Sequence, residues 1–156
     1  MKNNRILAII PARSNSKGLK KKNMKIFNGK PLVQWTIEAA KKSKLIDDIF
    51  ISSDSSRLMK LIKRLKLEVP ELRPKFLSQD ATPMYKVVLH ALSIKKNFTH
   101  FVLLQPTSPL RTALDIDNLI NQAMNTNSTS FVSISEVKDH PRYMYNINKN
   151  KKIINY

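Results

Sequence analysis

Apolar residues occur in short blocks separated by polar loops. Ile6, Leu7, Ala8, Ile9 and Ile10 run without interruption and stop at Pro11, which predicts a strand buried on both faces over Arg5 to Ala12. Pro31 then opens a stretch in which Leu32, Val33, Trp35, Ile37 and Ala40 recur at helical spacing as far as about Ser43, and proline is tolerated in a first helical turn. Ile49 to Ser52 predicts a second strand. Asp54 or Ser55 then caps a helix that starts at Ser56 and carries Leu58, Leu61, Ile62 and Leu65 on one face. A third helix is expected over Tyr85 to Lys95, a strand over Phe101 to Leu104, a helix opened by acidic residues over Asp115 to Met124, and a strand over Ser130 to Ile134. Strands alternating with helices in this order predict an α/β fold, a doubly wound and mostly parallel sheet with helices on both faces. Such sheets bind ligands beyond the carboxyl ends of their strands, so the loops after Ile10, Ser52 and Leu104 are where chemistry is expected.

The chain has 156 residues, of which 42% are hydrophobic, and no Cys. One domain with a real core is expected, and neither a disordered chain nor a disulfide scaffold fits. Residues 1–137 form the expected domain, and residues 138–156, rich in Lys, Asn and Tyr, a tail. No apolar run approaches the ~20 residues of a membrane span, and the start of the chain leads into a strand-length run, so a soluble cytoplasmic protein is expected. Lys and Arg total 28 against 11 Asp and Glu, a net charge of +17. This excess allows nucleic acid, phosphorylated small molecules or acidic sugars as partners. Abundant Lys on solvated faces accounts for it equally well. A nucleic-acid groove is disfavoured because no stacking aromatics interleave with the cations.

The first loop, Pro11 to Asn23, combines Ser14, Asn15 and Ser16 with Arg13, Lys17 and Lys22, and holds Gly18, one of only two glycines where average usage gives about 11. A glycine in a chain that avoids them suggests a demanded backbone conformation. The loop reads as an oligophosphate cradle or as a solvated basic turn; it matches neither the Walker nor the dinucleotide signature. In the second loop Asp54 is either part of a helix cap or a group that orients ribose or holds a cation, with Arg73 and Asp80 expected near the same edge. In the third loop, Pro106 and Pro109 hold Gln105, Thr107 and Ser108 rigidly at a strand end, which suits a substrate loop or a turn.

Together the segments IIPARSNSKGLKKKN with NGKPL, ISSD, LRPKFLSQD, LLQPTSPLRT and SFVSISEVKDHP resemble the acylneuraminate cytidylyltransferase family, the CMP-sialic acid synthetases, in the family's order. The resemblance implies a Rossmann-like nucleotidyltransferase. It implies a nucleotide site of Ala12, Arg13, Ser14, Asn15, Ser16, Lys17, Gly18, Lys22, Asn23, Arg73 and Asp80, with Gln105 beside the sugar acid and Thr107 and Ser108 in the same loop. The implied reaction is attack of the anomeric hydroxyl of an acidic nine-carbon sugar on the α-phosphate of CTP, releasing pyrophosphate. In it Arg13, Lys17 and Lys22 supply fixed positive charge, Mg²⁺ is the cofactor, and a homodimer is the expected assembly.

Two features depart from the family. Its members are longer and carry a closely spaced Asp pair for the metal and a dimerisation arm; neither the pair nor the full arm has a counterpart before Tyr156. The chain is thus expected to be part of a longer protein or reduced below full activity, and a CTP-binding fragment without turnover is the rival reading. Asp54 and Asp80 are the in-chain metal candidates. Met84 stands where the family has a small hydroxylic residue, which removes a hydrogen bond to base or ribose. His90 reads as a packed or surface residue, His140 as a loop residue or as part of a segment that in the family lies near the site, and Tyr143 and Tyr145 as the start of the arm or part of the tail.

Overall fold

The computed structural model describes residues 4–15, 18–126, 129–136, 145–147 and 153–155. In chain order these form β1 (Ile6–Pro11), a hairpin of β2 (Ile26–Phe27) and β3 (Lys30–Pro31), α1 (Leu32–Lys42), β4 (Asp48–Ser52), α2 (Ser56–Arg64), α3 (Met84–Ile94), β5 (His100–Leu103), α4 (Ala113–Met124), and a second hairpin of β6 (Tyr145–Ile147) and β7 (Ile153–Asn155). Single 3₁₀ turns occupy Lys22–Met24 and Lys75–Leu77.

β1 is the centre of a parallel sheet ordered β4-β1-β5. Its continuous apolar run is explained by burial on both faces. Ile6, Ala8 and Ile10 join a core with Val33, Ile37 and Ala40 of α1, Leu58, Leu61 and Ile62 of α2, and Ile116 and Ile120 of α4. Leu7 and Ile9 face the other way, onto Phe50 and onto Val88 and Ala91 of α3. The sheet is therefore covered on both sides, as the alternating pattern predicts. β4 and β5 lie on opposite sides of β1, so the strand order reverses between β1 and β5, and a crevice opens there at the carboxyl ends.

The helix ends follow from local chemistry. Ser55, not Asp54, caps α2: its Oγ accepts from the Leu58 N–H at 3.2 Å. α4 starts two residues before the expected Asp115 because Thr112 and Asp115 form a capping box, each accepting from the other's backbone N–H. Pro31 and Pro83 precede α1 and α3.

The expected strand at Ser130 to Ile134 does not form. Phe131, Val132 and Ile134 are exposed, Ile134 at 91%, and β5 pairs with β1 alone among the described strands. An apolar segment becomes a strand only when a ladder partner satisfies its backbone, and Phe131 to Ile134 join no sheet ladder among the described residues. The tail beyond Val137 contains the β6 and β7 hairpin. Among the described residues no helix is long and apolar enough to cross a membrane.

Candidate active site

The loop after β1 is held at both ends. The Ala12 N–H donates to the Ser52 carbonyl at 2.9 Å, which ties the loop to β4. At its far end the buried Asn23 donates from Nδ2 to the Arg13 carbonyl at 2.9 Å. Between them, Asp54 accepts from the Ser14 N–H at 2.6 Å and from the Ser14 hydroxyl at 2.7 Å. These bonds fix Ala12, Ser14 and the Arg13 backbone relative to β4 and Asn23.

Arg13 reaches across to the segment before α3. Its Nη1 donates to the Gln79 carbonyl at 3.1 Å and its Nη2 pairs with Asp80 at 2.7 Å. Arg73 backs this arrangement from beneath. It is 4% exposed, its N–H donates to the Ser53 carbonyl at 2.8 Å, and its Nε donates to the Ser78 hydroxyl at 3.2 Å. Its Nη2 is buried with no hydrogen-bond partner. Burial pushes the Arg73 pKa down, Asp54 pulls it back up, and the like charge of Arg13 lowers it further. An arginine stays charged in spite of this, so a buried guanidinium with a free N–H lies in the wall and favours an anionic or carbonyl ligand.

The loop after β5 forms the opposite wall. Arg111 donates from Nη2 to the Gln105 carbonyl at 2.9 Å, and its N–H donates to the Ser108 carbonyl at 3.3 Å. Pro106 is buried beneath. Burial lowers the pKa of Arg111 and Asp115 opposes the shift.

These walls enclose an open cavity of about 600 Å³. Of the predicted site residues, Arg13, Gly18, Lys22, Asn23, Arg73, Asp80, Gln105 and Thr107 line it, and so does Met84. Ala12, Ser14 and Asn15 line a smaller adjoining cavity that shares Arg13 and Asn23. Ser108 is exposed and lines neither; its role here is as acceptor for Arg111. Ser16, Lys17, His140 and Tyr143 lie outside the described residues, as does the side chain of Tyr145, and His90 on α3 lines neither cavity. The residue that sequence reasoning passed over is Arg111. It stood inside the quoted LLQPTSPLRT segment, but nothing in the sequence showed that its side chain folds back onto Gln105.

One expectation needs correction. Gly18 does not adopt a positive φ, and a Cβ built there meets nothing within 4 Å. The left-handed conformation in this loop belongs to Lys21, at φ 54. The glycine that needs its freedom is Gly29, at φ 83 beside Asn28 at φ 44, in the two-residue turn joining β2 to β3. The two metal candidates are both engaged by other side chains. Both oxygens of Asp54 are taken by Ser14, and Asp80 is paired with Arg13. Among the described residues no group of three or more His, Cys, Asp or Glu can hold a metal ion, so these residues alone do not build a complete Mg²⁺ site.

Comparison with known proteins gives this geometry a family. A solved CMP:2-keto-3-deoxy-manno-octonic acid synthetase complexed with CTP shares the fold, at TM-score 0.68 and 18% identity, covering 78% of this chain and 48% of that one. By sequence, an N-acylneuraminate cytidylyltransferase of Streptococcus agalactiae serotype V is 39% identical over 137 residues, 86% of this chain and 33% of the relative. A CMP-N,N'-diacetyllegionaminic acid synthase of Legionella pneumophila is 32% identical over 154 residues, 96% of this chain and 66% of the relative. The chain thus spans about a third of the length of the streptococcal relative. A family model described as cytidylyltransferase matches residues 7–156, from the second residue of the central strand onward. With the crevice, its cationic loop and this match in agreement, the chain belongs to the cytidylyltransferase family.

Proposed function

We propose that the chain carries the nucleotide-binding and sugar-facing half of a CTP-dependent transferase that forms a CMP-sugar from a sialic-acid-type nonulosonic acid. The observation that carries this reading is the cavity itself, which Arg13, Lys22 and Arg73 line together with Gln105 and Thr107. In a family of cytidylyltransferases, that pairing puts fixed cations beside a triphosphate and polar side chains beside an acidic sugar. The anomeric hydroxyl of the sugar attacks the α-phosphorus, the bond to the pyrophosphate oxygen breaks, and the hydroxyl proton is lost to solvent. Such a step requires alignment and charge neutralisation more than covalent chemistry. In this reading Arg13, Lys17 and Lys22 neutralise the phosphates, the backbone near Ser16 and Gly18 grips them, Ala12, Ser14, Asn15 and Asn23 shape the nucleotide site, and Gln105, Thr107 and Ser108 belong to the sugar loop. Mg²⁺ is part of the proposal as an ion held chiefly by the phosphates of the nucleotide. No step above depends on it. A cytoplasmic location and a homodimer, both implied by the family resemblance, belong to the same proposal; light scattering of the purified protein tests the second.

The engagement of Asp54 by Ser14 and of Asp80 by Arg13 favours a second reading, a chain that binds CTP and turns nothing over. Pyrophosphate release measured with CTP and a panel of nonulosonic acids, alongside CTP affinity by calorimetry, separates the two. Release with one of these sugars supports the transferase. Binding without release supports the second reading, and absence of CTP binding refutes both.

A further inference from the structure

Cationic side chains continue out of the cavity along the outer face of α2. The smaller cavity, about 150 Å³, lies between the first loop and the start of α2, and Lys21 and Arg57 line it together with Arg13. Arg57 also lines an open groove with Lys60, Lys63 and Arg64. Their spacing of three and four residues places these side chains on one face of α2, opposite the buried Leu58, Leu61 and Ile62, and all four are exposed. At the rise of an α-helix the row spans about 10 Å. Arg13, Lys30 and Lys95 are held in ion pairs with carboxylates. No carboxylate lines the smaller cavity or the groove, and among the described residues none of the four α2 cations is in an ion pair.

Resting on the function proposed above, we propose that this row is an electrostatic guide, which captures the nucleoside triphosphate from solution and delivers it past Arg57 and Lys21 to the cavity. A strip of one sign leading into a cleft raises the local concentration of an oppositely charged ligand and speeds its association by about 10- to 1,000-fold. Salt screens such attraction beyond about 8–10 Å, roughly the length of the row, so the whole strip acts together only at low ionic strength. The occupant is a small polyanion rather than single-stranded nucleic acid, because no aromatic ring lines either depression to stack a base.

The test is stopped-flow association of CTP with three forms of the full chain: wild type, Lys60→Glu/Lys63→Glu, and Lys44→Glu/Lys96→Glu. The last pair makes the same change in net charge in the segments that lead into the amino ends of β4 and β5, at the opposite end of the sheet. At low salt the α2 variant is expected to associate about tenfold more slowly and the control pair less than about twofold more slowly. Dissociation rates should stay close together, and added salt should bring the three association rates together. Equal slowing in both double variants would mean that net charge alone acts, and a loss confined to the dissociation rate would mean direct ligand contact; either overturns the guide. So does salt-dependent preference for duplex DNA over CTP that disappears in the α2 variant. Wild-type protein that binds no CTP removes the underlying function as well, whereas CTP binding whose association rate ignores salt removes the guide alone.

Discussion

Asp54 commits both carboxylate oxygens to Ser14, so at the scale of single residues it is a positioning group for the first loop. Hydrogen bonds to a charged acceptor contribute about 1.5–3 kcal/mol each. Asp54→Asn, which weakens the pair and must turn an NH₂ toward a donor, is expected to raise the CTP dissociation constant about tenfold with the fold intact, measured by calorimetry alongside circular dichroism. Unchanged affinity would show that the loop holds its shape without the clasp. Arg73 makes a different case. Arg73→Lys keeps the charge but removes the planar fork with its free Nη2, so CTP affinity is expected to fall by about tenfold despite the conserved charge. A variant that binds as tightly as wild type would reduce Arg73 to a source of charge. Both residue types were visible in the sequence at the right edge of the sheet. Which atom each one engages was not, because Ser14 and Asp54 lie 40 positions apart and only the strand order brings them together.

Local rules explain the elements whose partners are close in sequence. The Ser55 cap, the Thr112 and Asp115 capping box and the apolar faces of α1, α2 and α4 all follow from residues within one or two turns. Asn28 and Gly29 carried a hairpin signal of the same local kind, which the sequence reading quoted only as part of a motif. The two glycines therefore make a paired prediction. Gly29→Ala forces a Cβ into the left-handed region and should destabilise the protein by about 1–2 kcal/mol, whereas Gly18→Ala, with open space around its Cβ, should leave the melting temperature unchanged. Denaturant unfolding of both variants checks this, and equal losses would contradict it. Deeper in the same layer, Leu58 is fully buried on α2, and Leu58→Ala should cost about 2–5 kcal/mol. The Phe131 to Ile134 segment fails for a reason no local rule contains: its residue types favour a strand, but a strand needs a neighbour.

Charge governs the whole molecule, at +17. Glu38 lies below the ordinary carboxylate value: burial pushes it up, and the bonds from Lys30 and Gln34 and the nearby lysine charges pull it further down. Asp115 is also held down, by the Thr112 N–H first and the Thr112 hydroxyl second. A depressed carboxylate contributes stability above its unfolded pKa, about 4, and that contribution disappears as pH falls through the lower folded value. Lys95 behaves inversely. Burial lowers it, but Asp48 and Glu68 raise it above the ordinary lysine value, so its contribution is complete below about 10.4 and is lost as pH rises through the folded value. Melting temperature followed against pH should therefore fall at both extremes, and Glu38→Gln should flatten the acid limb while Lys95→Met flattens the alkaline one. Identical limbs in the variants would show that general charge repulsion sets the profile. Sequence alone determined the alternation of strands and helices, the burial of β1 on both faces, the cationic loop that follows it and the family motifs, because each depends on neighbours along the chain or on a pattern of types. Tertiary structure alone decided that Asp54 clasps a loop, that Asp80 pairs with Arg13, that Arg111 braces Gln105 and that the cations of α2 line up with the cavity. Those outcomes depend on which distant segments the sheet order places side by side, and contact across space leaves no periodic trace in the chain.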